Sequence, residues 1–211
     1  MRLHTTIHTA RLGATEFKVI RPARPPAHAV LFDDPWYLNG WFDQEAAHLT
    51  AGLWALAATS PRSLVHLPIR ANAKDAPDAA TGAQRPLDLV LLHHSLQFAP
   101  SRWKELRSRL GRGRPRTVDL PVPDPGPDAE PAASDRHHRE NRDRFHQEIH
   151  SETLFMTGST RTFLEAAAVF ASLAREGPGQ AFNHGGRHYC RSVYVDPADR
   201  DLHIEYREEW P

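Results

Sequence analysis

Two apolar runs in this chain end in residues that can do chemistry. Ala27–Phe32 (AHAVLF) runs into Asp33 and Asp34, and Leu87–Leu92 (LDLVLL) runs into His93 and His94. In open α/β sheets, ligands sit outside the carboxyl ends of parallel strands. If the two runs are parallel neighbours, two carboxylates and two imidazoles converge at one place. Such a set can hold a divalent metal and lower the pKa of a bound water, or act as an acid/base pair without metal. Asp33, Asp34, His93 and His94 are therefore the candidate catalytic residues of a hydrolase-like site. The bland alternative is that polar residues simply mark where a strand leaves the core.

A second set is His146, Glu148 and His150. On a strand the three share a face, and on a helix His146 and His150 share one at i and i+4. They are a candidate metal site, with His137 and His138 upstream. HQEIH is not HExxH, so the glutamate is misplaced for a zincin. Cys190 is the only cysteine, which excludes an intramolecular disulfide. It lies near His184 and His188, a pairing that can be nucleophilic. Its strand-like surroundings suit a small core residue instead.

The third signal is RGRPR, Arg112 to Arg116. It resembles an AT-hook, a short motif that binds the minor groove of DNA. The resemblance implies that the glycine lets the backbone sink into the groove while Arg112, Arg114 and Arg116 reach its electronegative floor. Arg102, Lys104, Arg107 and Arg109 would add phosphate contacts. A solvated turn between a helix and a strand has the same composition. The fourth signal is DDPWYLNGWF. Trp36, Tyr37 and Trp41 are candidate partner-binding residues if exposed, and a cover for the end of a core if not. LDLVLLHHSLQF with SRWKELRSRLGRG resembles the late strand-plus-helix of class I S-adenosylmethionine-dependent methyltransferases. The glycine-rich cofactor loop expected after the first strand is absent, because DDPW stands there, and no methyltransferase function is assigned.

The elements that must position these residues follow from patterning. Leu3, Thr5, Ile7 and Thr9 alternate, and Phe17, Val19 and Ile20 return after Gly13, which predicts a hairpin over 2–9 and 15–21. The DDPWYLNGW stretch reads as a loop. Phe42, Ala46, Leu49, Leu53 and Leu56 predict a helix over 43–58, capped by Asp43 or Asn39. Strands are expected at 27–32, 64–69, 87–92 and 117–122, with a helix at 101–110 and a flexible loop at 70–85. Leu87–Leu92 is the strongest strand, interrupted only by Asp88. Beyond a proline-dense stretch, 153–156 reads as a strand. A helix over 160–175 is opened by a Thr162–Glu165 capping box and stopped by GPG at 177–179. Residues 180–184, 187–195 and 202–207 predict an antiparallel meander.

The chain of 211 residues is thus a mixed α/β or α+β protein. Residues 1–120 form a sheet-and-helix part with some parallel strands. Residues 121–134 are a Pro-rich linker or surface loop. Residues 135–211 form an α+β part, a helix plus meander, which either stands alone or packs with the first. A true linker would put His93/His94 and His146/His150 in different sites.

Composition narrows the function classes. Net charge is zero, so no global basic field draws nucleic acid or an anionic membrane. The stretch Phe163–Ala174 is too short to span a bilayer, and the N-terminus has no apolar leader. A soluble, cytoplasmic protein is expected, with no membrane partner. Histidine is over-represented at 14 residues, and Lys18, Lys74 and Lys104 are the only lysines. Such Arg-, Ala- and Pro-rich usage is what GC-rich, actinobacterial-like coding produces. The reading adopted is a binding or accessory protein without its own catalysis, with a protein partner favoured. Two alternatives stand beside it: a metal-dependent hydrolase-like enzyme at Asp33, Asp34, His93 and His94, and a DNA-binding protein using Arg112, Arg114 and Arg116. The cofactor is unknown, with a divalent metal possible on the histidines.

Overall fold

The alternating residues at the N-terminus form a long antiparallel hairpin, β1 (Arg2–Leu12) and β2 (Thr15–Pro22). Gly13 makes its turn at φ +63, a left-handed conformation that costs glycine nothing. The structure, a computed structural model, describes residues 1–76, 84–121, 143–183, 189–193, 195 and 199–210. Most of the Pro-rich stretch, 122–134, lies outside the described residues.

Ten further strands and three α-helices follow among the described residues. They are β3 (Ala29–Asp33), β4 (Leu38–Phe42), α1 (Gln44–Thr59), β5 (Ser63–Leu67), β6 (Arg85–Pro86), β7 (Asp88–His93), α2 (Trp103–Ser108), β8 (Arg114–Asp119), β9 (His146–His150), β10 (Thr153–Gly158), α3 (Thr160–Asn183), β11 (Cys190–Val193) and β12 (Leu202–Tyr206). Short 3-10 turns cover Arg70–Asp75 and Pro100–Arg102. A seven-stranded sheet runs β8-β1-β2-β5-β7-β10-β9, and a five-stranded sheet runs β11-β12-β4-β3-β6. Both sheets mix parallel and antiparallel pairs: β7 pairs β10 and β4 pairs β12 in parallel, while β5 pairs β7 and β3 pairs β4 antiparallel. Each sheet takes strands from both sides of 121–134.

α1 explains why two sheets can share one core. Its turns are rich in Ala46, Ala47, Ala51, Ala55, Ala57 and Ala58, and it is buried almost all round. Small side chains let neighbouring elements approach closely while Leu53 and Trp54 fill the space between. One apolar cluster joins Val65, Leu89 and Leu154 of the large sheet, Leu31, Phe42 and Ile204 of the small sheet, and both long helices. α1 and α3 therefore form the layer between the sheets. Trp54 packs on Phe145, Phe163 and Phe170, all from the C-terminal half. The opposite face of the large sheet is covered by Phe98, Trp103 and Leu106 of the α2 region.

Several expectations are corrected. β3 and β7 lie in different sheets and are not neighbours. The expected loop of DDPWYLNGW shrinks to a turn, because Leu38–Phe42 is the central strand β4 of the small sheet, buried at every position. GPG does not stop α3: the helix runs through Pro178 to Asn183. Gly177 is needed there for another reason, since a Cβ would overlap the ring of Tyr206. The N-terminal cap of α3 pairs Ser159 with Thr162, each backbone N–H donating to the other's hydroxyl at 2.9 and 3.2 Å, and Glu165 instead pairs with Arg161. Asp43 does cap α1, accepting from the Ala46 N–H at 2.7 Å.

Candidate functional site

The strand-tip set does not assemble. Asp33 lies at the end of β3 in the small sheet, where Arg85 and Arg200 each donate to one of its oxygens at 2.7 Å. Partial burial works to raise its pKa, but those two hydrogen bonds outweigh it and hold the carboxyl below its ordinary value. Asp34 accepts from Gln84 Nε2 at 3.1 Å and from the Trp36 N–H at 3.2 Å. His93 ends β7 in the large sheet, with Nδ1 2.8 Å from Ser95 Oγ and its ring centroid 4.3 Å from that of His94. Partial burial, then the charge of His94, lowers the His93 pKa. Asp33 is thus paired with two arginines, Asp34 is held by an amide side chain and a backbone N–H, and the two imidazole rings lie beside each other tilted by 42°.

His146, Glu148 and His150 do share a face of β9, an edge strand of the large sheet. His146 Nδ1 lies 4.0 Å from Asp199 Oδ2. Among the described residues, no group of three or more His, Cys, Asp or Glu side chains is placed to hold a metal ion. His137, His138, His184 and His188 lie outside the described residues. The RGRPR arginines, Arg112, Arg114 and Arg116, are exposed, but their backbone is not free. Arg114 and Arg116 belong to β8 and pair with Ile7 and Thr5 of β1. Gly113, the residue a hook would bury in the groove, is packed against Thr6 and His8.

The aromatic stretch divides in two. Trp36 is 84% exposed and Tyr37 40% exposed, on the turn between β3 and β4. Trp41 is 5% exposed and packs on Phe32 at 5.3 Å between ring centroids, with Arg207 over its face at 5.3 Å. Trp41 is therefore a core residue of the small sheet and not part of a partner surface.

A polar cluster that the motifs did not mark lies on the α2 face of the large sheet. Arg21 of β2, His66 of β5 and Asp88 of β7 stand on adjacent strands, and Arg107 of α2 reaches them from above. Arg21 Nε donates to His66 Nδ1 at 2.9 Å. His66 Nε2 lies 3.7 Å from Asp88 Oδ2, and Arg107 Nη1 lies 3.6 Å from the same oxygen. Asp88 Oδ1 accepts the backbone N–H of Arg70 at 2.9 Å, while the Arg70 side chain pairs with Glu152. Trp103 sets its ring edge-on to His66, 4.9 Å between centroids.

Charge decides the state of this cluster. Burial is the largest influence on His66 and pushes its pKa down, Asp88 opposes, and the charges of Arg21 and Arg107 lower it further. The imidazole is neutral, with its proton on Nε2 because Nδ1 accepts from Arg21. Burial would raise Asp88, but His66 and Arg70 outweigh it and keep the carboxylate ionised. Burial also lowers Arg21, with Asp88 opposing and Arg107 adding repulsion. Beside the cluster, the β9–β10 turn holds Ser151 and Glu152 at φ 49 and 59. That is the positive-φ pair a two-residue turn between antiparallel strands takes. Glu152 is also engaged by the Arg70 side chain and, through its carbonyl, by the Asp88 N–H at 3.0 Å.

No helix among the described residues is long and apolar enough to cross a membrane. The arrangement defines a mixed α/β protein with two sheets around a helical layer. No protein-family model matches the chain, no curated protein matches it, and no solved structure matches its fold.

Proposed function

We propose that this protein is a binding or accessory module that engages a protein partner through the β3–β4 turn, with no catalysis of its own. The observation that carries this reading is Trp36, a large indole left 84% exposed on a pinned turn. The Asp34 carboxylate accepts the Trp36 N–H, and Arg200 donates to the Asp34 carbonyl and the Asp33 carboxylate. An aromatic presented on fixed backbone loses little entropy on docking, and Trp, Tyr and Arg dominate binding hot spots. Tyr37 follows it in the chain, and the exposed Arg85 pairs with Asp33 at the start of the turn. The partner surface that fits is an apolar cleft that takes the indole. The engagement of Asp33 by two arginines supports the non-catalytic half of the reading, since a carboxylate with a depressed pKa is a poor general base.

The test compares wild-type and Trp36→Ala protein as baits in extracts of the source cells. A protein captured by the first bait and lost from the second is then purified and its affinity measured with both. Weakening by tenfold or more is expected. Identical captured sets, or equal affinities, overturn the reading.

A further inference from the structure

We propose that the Arg21–His66–Asp88–Arg107 cluster is a binding site for a phosphate group, free or carried as a phosphomonoester on a small molecule.

Three observations point there. The first is charge: the guanidiniums of Arg21, Arg70 and Arg107 gather around the two carboxylates of Asp88 and Glu152, and His66 is neutral. One positive charge is left over. Among the described residues Arg21 forms no salt bridge, and its Nε bond goes to a neutral ring. The second is a donor without an acceptor. His66 is 1% exposed, and its Nε2 has no hydrogen-bond partner, a costly state for a buried polar atom. The third is spacing. Asp88 Oδ2 faces both His66 Nε2 and Arg107 Nη1, yet at 3.7 and 3.6 Å it bonds neither. Solvent reaches the outer side of the cluster at Arg70 and Arg107, whose side chains are about one-third exposed (31% and 30%).

The ligand must accept from guanidiniums and tolerate a carboxylate at the same place. A phosphate monoanion meets both demands. Its unprotonated oxygens take charge-assisted bonds from Arg21 and Arg107. Its remaining P–OH donates to Asp88 Oδ2, which a fully ionised oxyanion cannot do. Sulfate has the same shape and no proton to give, so Asp88 repels it. The site therefore selects phosphate over sulfate. This inference is independent of the Trp36 reading, since the two surfaces lie on different sheets.

The test is calorimetric titration of the purified chain with inorganic phosphate, sodium sulfate and O-phosphoserine, at fixed ionic strength in chloride. Saturable phosphate binding at least tenfold tighter than sulfate is expected. Binding of O-phosphoserine as well as phosphate assigns the group to a larger molecule, and phosphate alone assigns the free ion. Arg107→Gln weakens phosphate at least tenfold, and Arg2→Gln, an exposed arginine paired with Asp119, leaves it within twofold. Asp88→Asn erases the preference for phosphate over sulfate. Should that variant not fold, the ¹⁵N resonances of the His66 ring in the wild-type chain serve instead, shifting with phosphate and not with sulfate. Equal phosphate and sulfate affinity, or Arg107→Gln binding phosphate normally, overturns the proposal.

Discussion

Arg21 donates its Nε–H to Nδ1 of His66 at 2.9 Å, so a permanently charged group fixes which nitrogen of a buried imidazole carries the proton. The bond has a consequence for stability. A second proton on His66 would have to enter at Nδ1, against the Arg21 donor and without water. The folded pKa therefore lies below the ordinary histidine value of about 6.5, with burial the main cause. Between the folded value and about 6.5 the unfolded chain binds more protons, so stability rises with pH there. It is complete above about 6.5 and declines as pH falls toward the folded value. Asp88, also depressed, adds its own loss only below the ordinary carboxylate range of about 3.9. Urea unfolding of wild type is expected to weaken from pH 7.5 to pH 5.5. His66→Gln, which keeps an acceptor for Arg21, is expected to show a flatter dependence over that interval. Parallel curves would rule out His66 as the source.

Asp88 offers a second test of the same cluster. It is buried and, among the described residues, is the one carboxylate within 4 Å of both His66 and Arg107. Removing one partner of a buried ionic group strands the others, a loss of about 3–5 kcal/mol. Asp88→Asn keeps the shape and the bond from Arg70 N–H, so the lower part of that range is expected. The urea midpoint measures it. A change below about 1 kcal/mol would mean that solvent reaches the cluster and screens it.

What the sequence made legible was local. Alternation gave the β1–β2 hairpin, and helical spacing with Asp43 gave α1. Which strands pair was hidden, because β3 and β7 carry the same signature, an apolar run ending in polar residues. Their assignment to different sheets depends on α1 being buried on nearly every side, and helical periodicity from Phe42 to Leu56 describes a helix with a single buried face. The cluster had left a faint mark. Asp88 broke the best apolar run, and His66 broke SLVHL. Two polar residues inside two core strands must be hydrogen-bonded or paired. Read together they point to each other, but only the β5–β7 pairing, which sets His66 opposite Val90, makes them diagonal neighbours on one face. Arg21 carried no signal, and Arg107 showed only as one of a run of basic residues before RGRPR, since this composition supplies arginine everywhere.

Two glycines of α3 should respond in opposite directions to the same change. Both lie in a helix, where alanine is better than glycine by about 0.8–1 kcal/mol. A Cβ on Gly179 meets nothing within 4 Å, so Gly179→Ala is expected to stabilise by up to about that amount. A Cβ on Gly177 would overlap the Tyr206 ring of β12, and Gly177→Ala is expected to destabilise by about 1–3 kcal/mol through overpacking. Thermal midpoints of the two variants decide it. Stabilisation by both would mean that Tyr206 moves aside freely.

Trp36 and Trp41 stand five positions apart and separate binding from folding. Trp36 lies on the turn with its ring in solvent, so Trp36→Ala removes almost no buried area. Its unfolding free energy is expected to stay within about 0.5 kcal/mol of wild type, as for surface changes away from caps and charges. Trp41 is closed over by Phe32 and Arg207 on the outer face of the small sheet. Trp41→Ala is expected to cost about 3–5 kcal/mol, the range for emptying a buried aromatic site. Part of that loss is offset because the indole Nε1 is buried without a hydrogen-bond partner, and truncation removes that burden. Urea titration of the two variants gives the difference directly. A Trp36→Ala protein destabilised as strongly as Trp41→Ala would place Trp36 in a packed core and remove the exposed anchor on which partner binding depends.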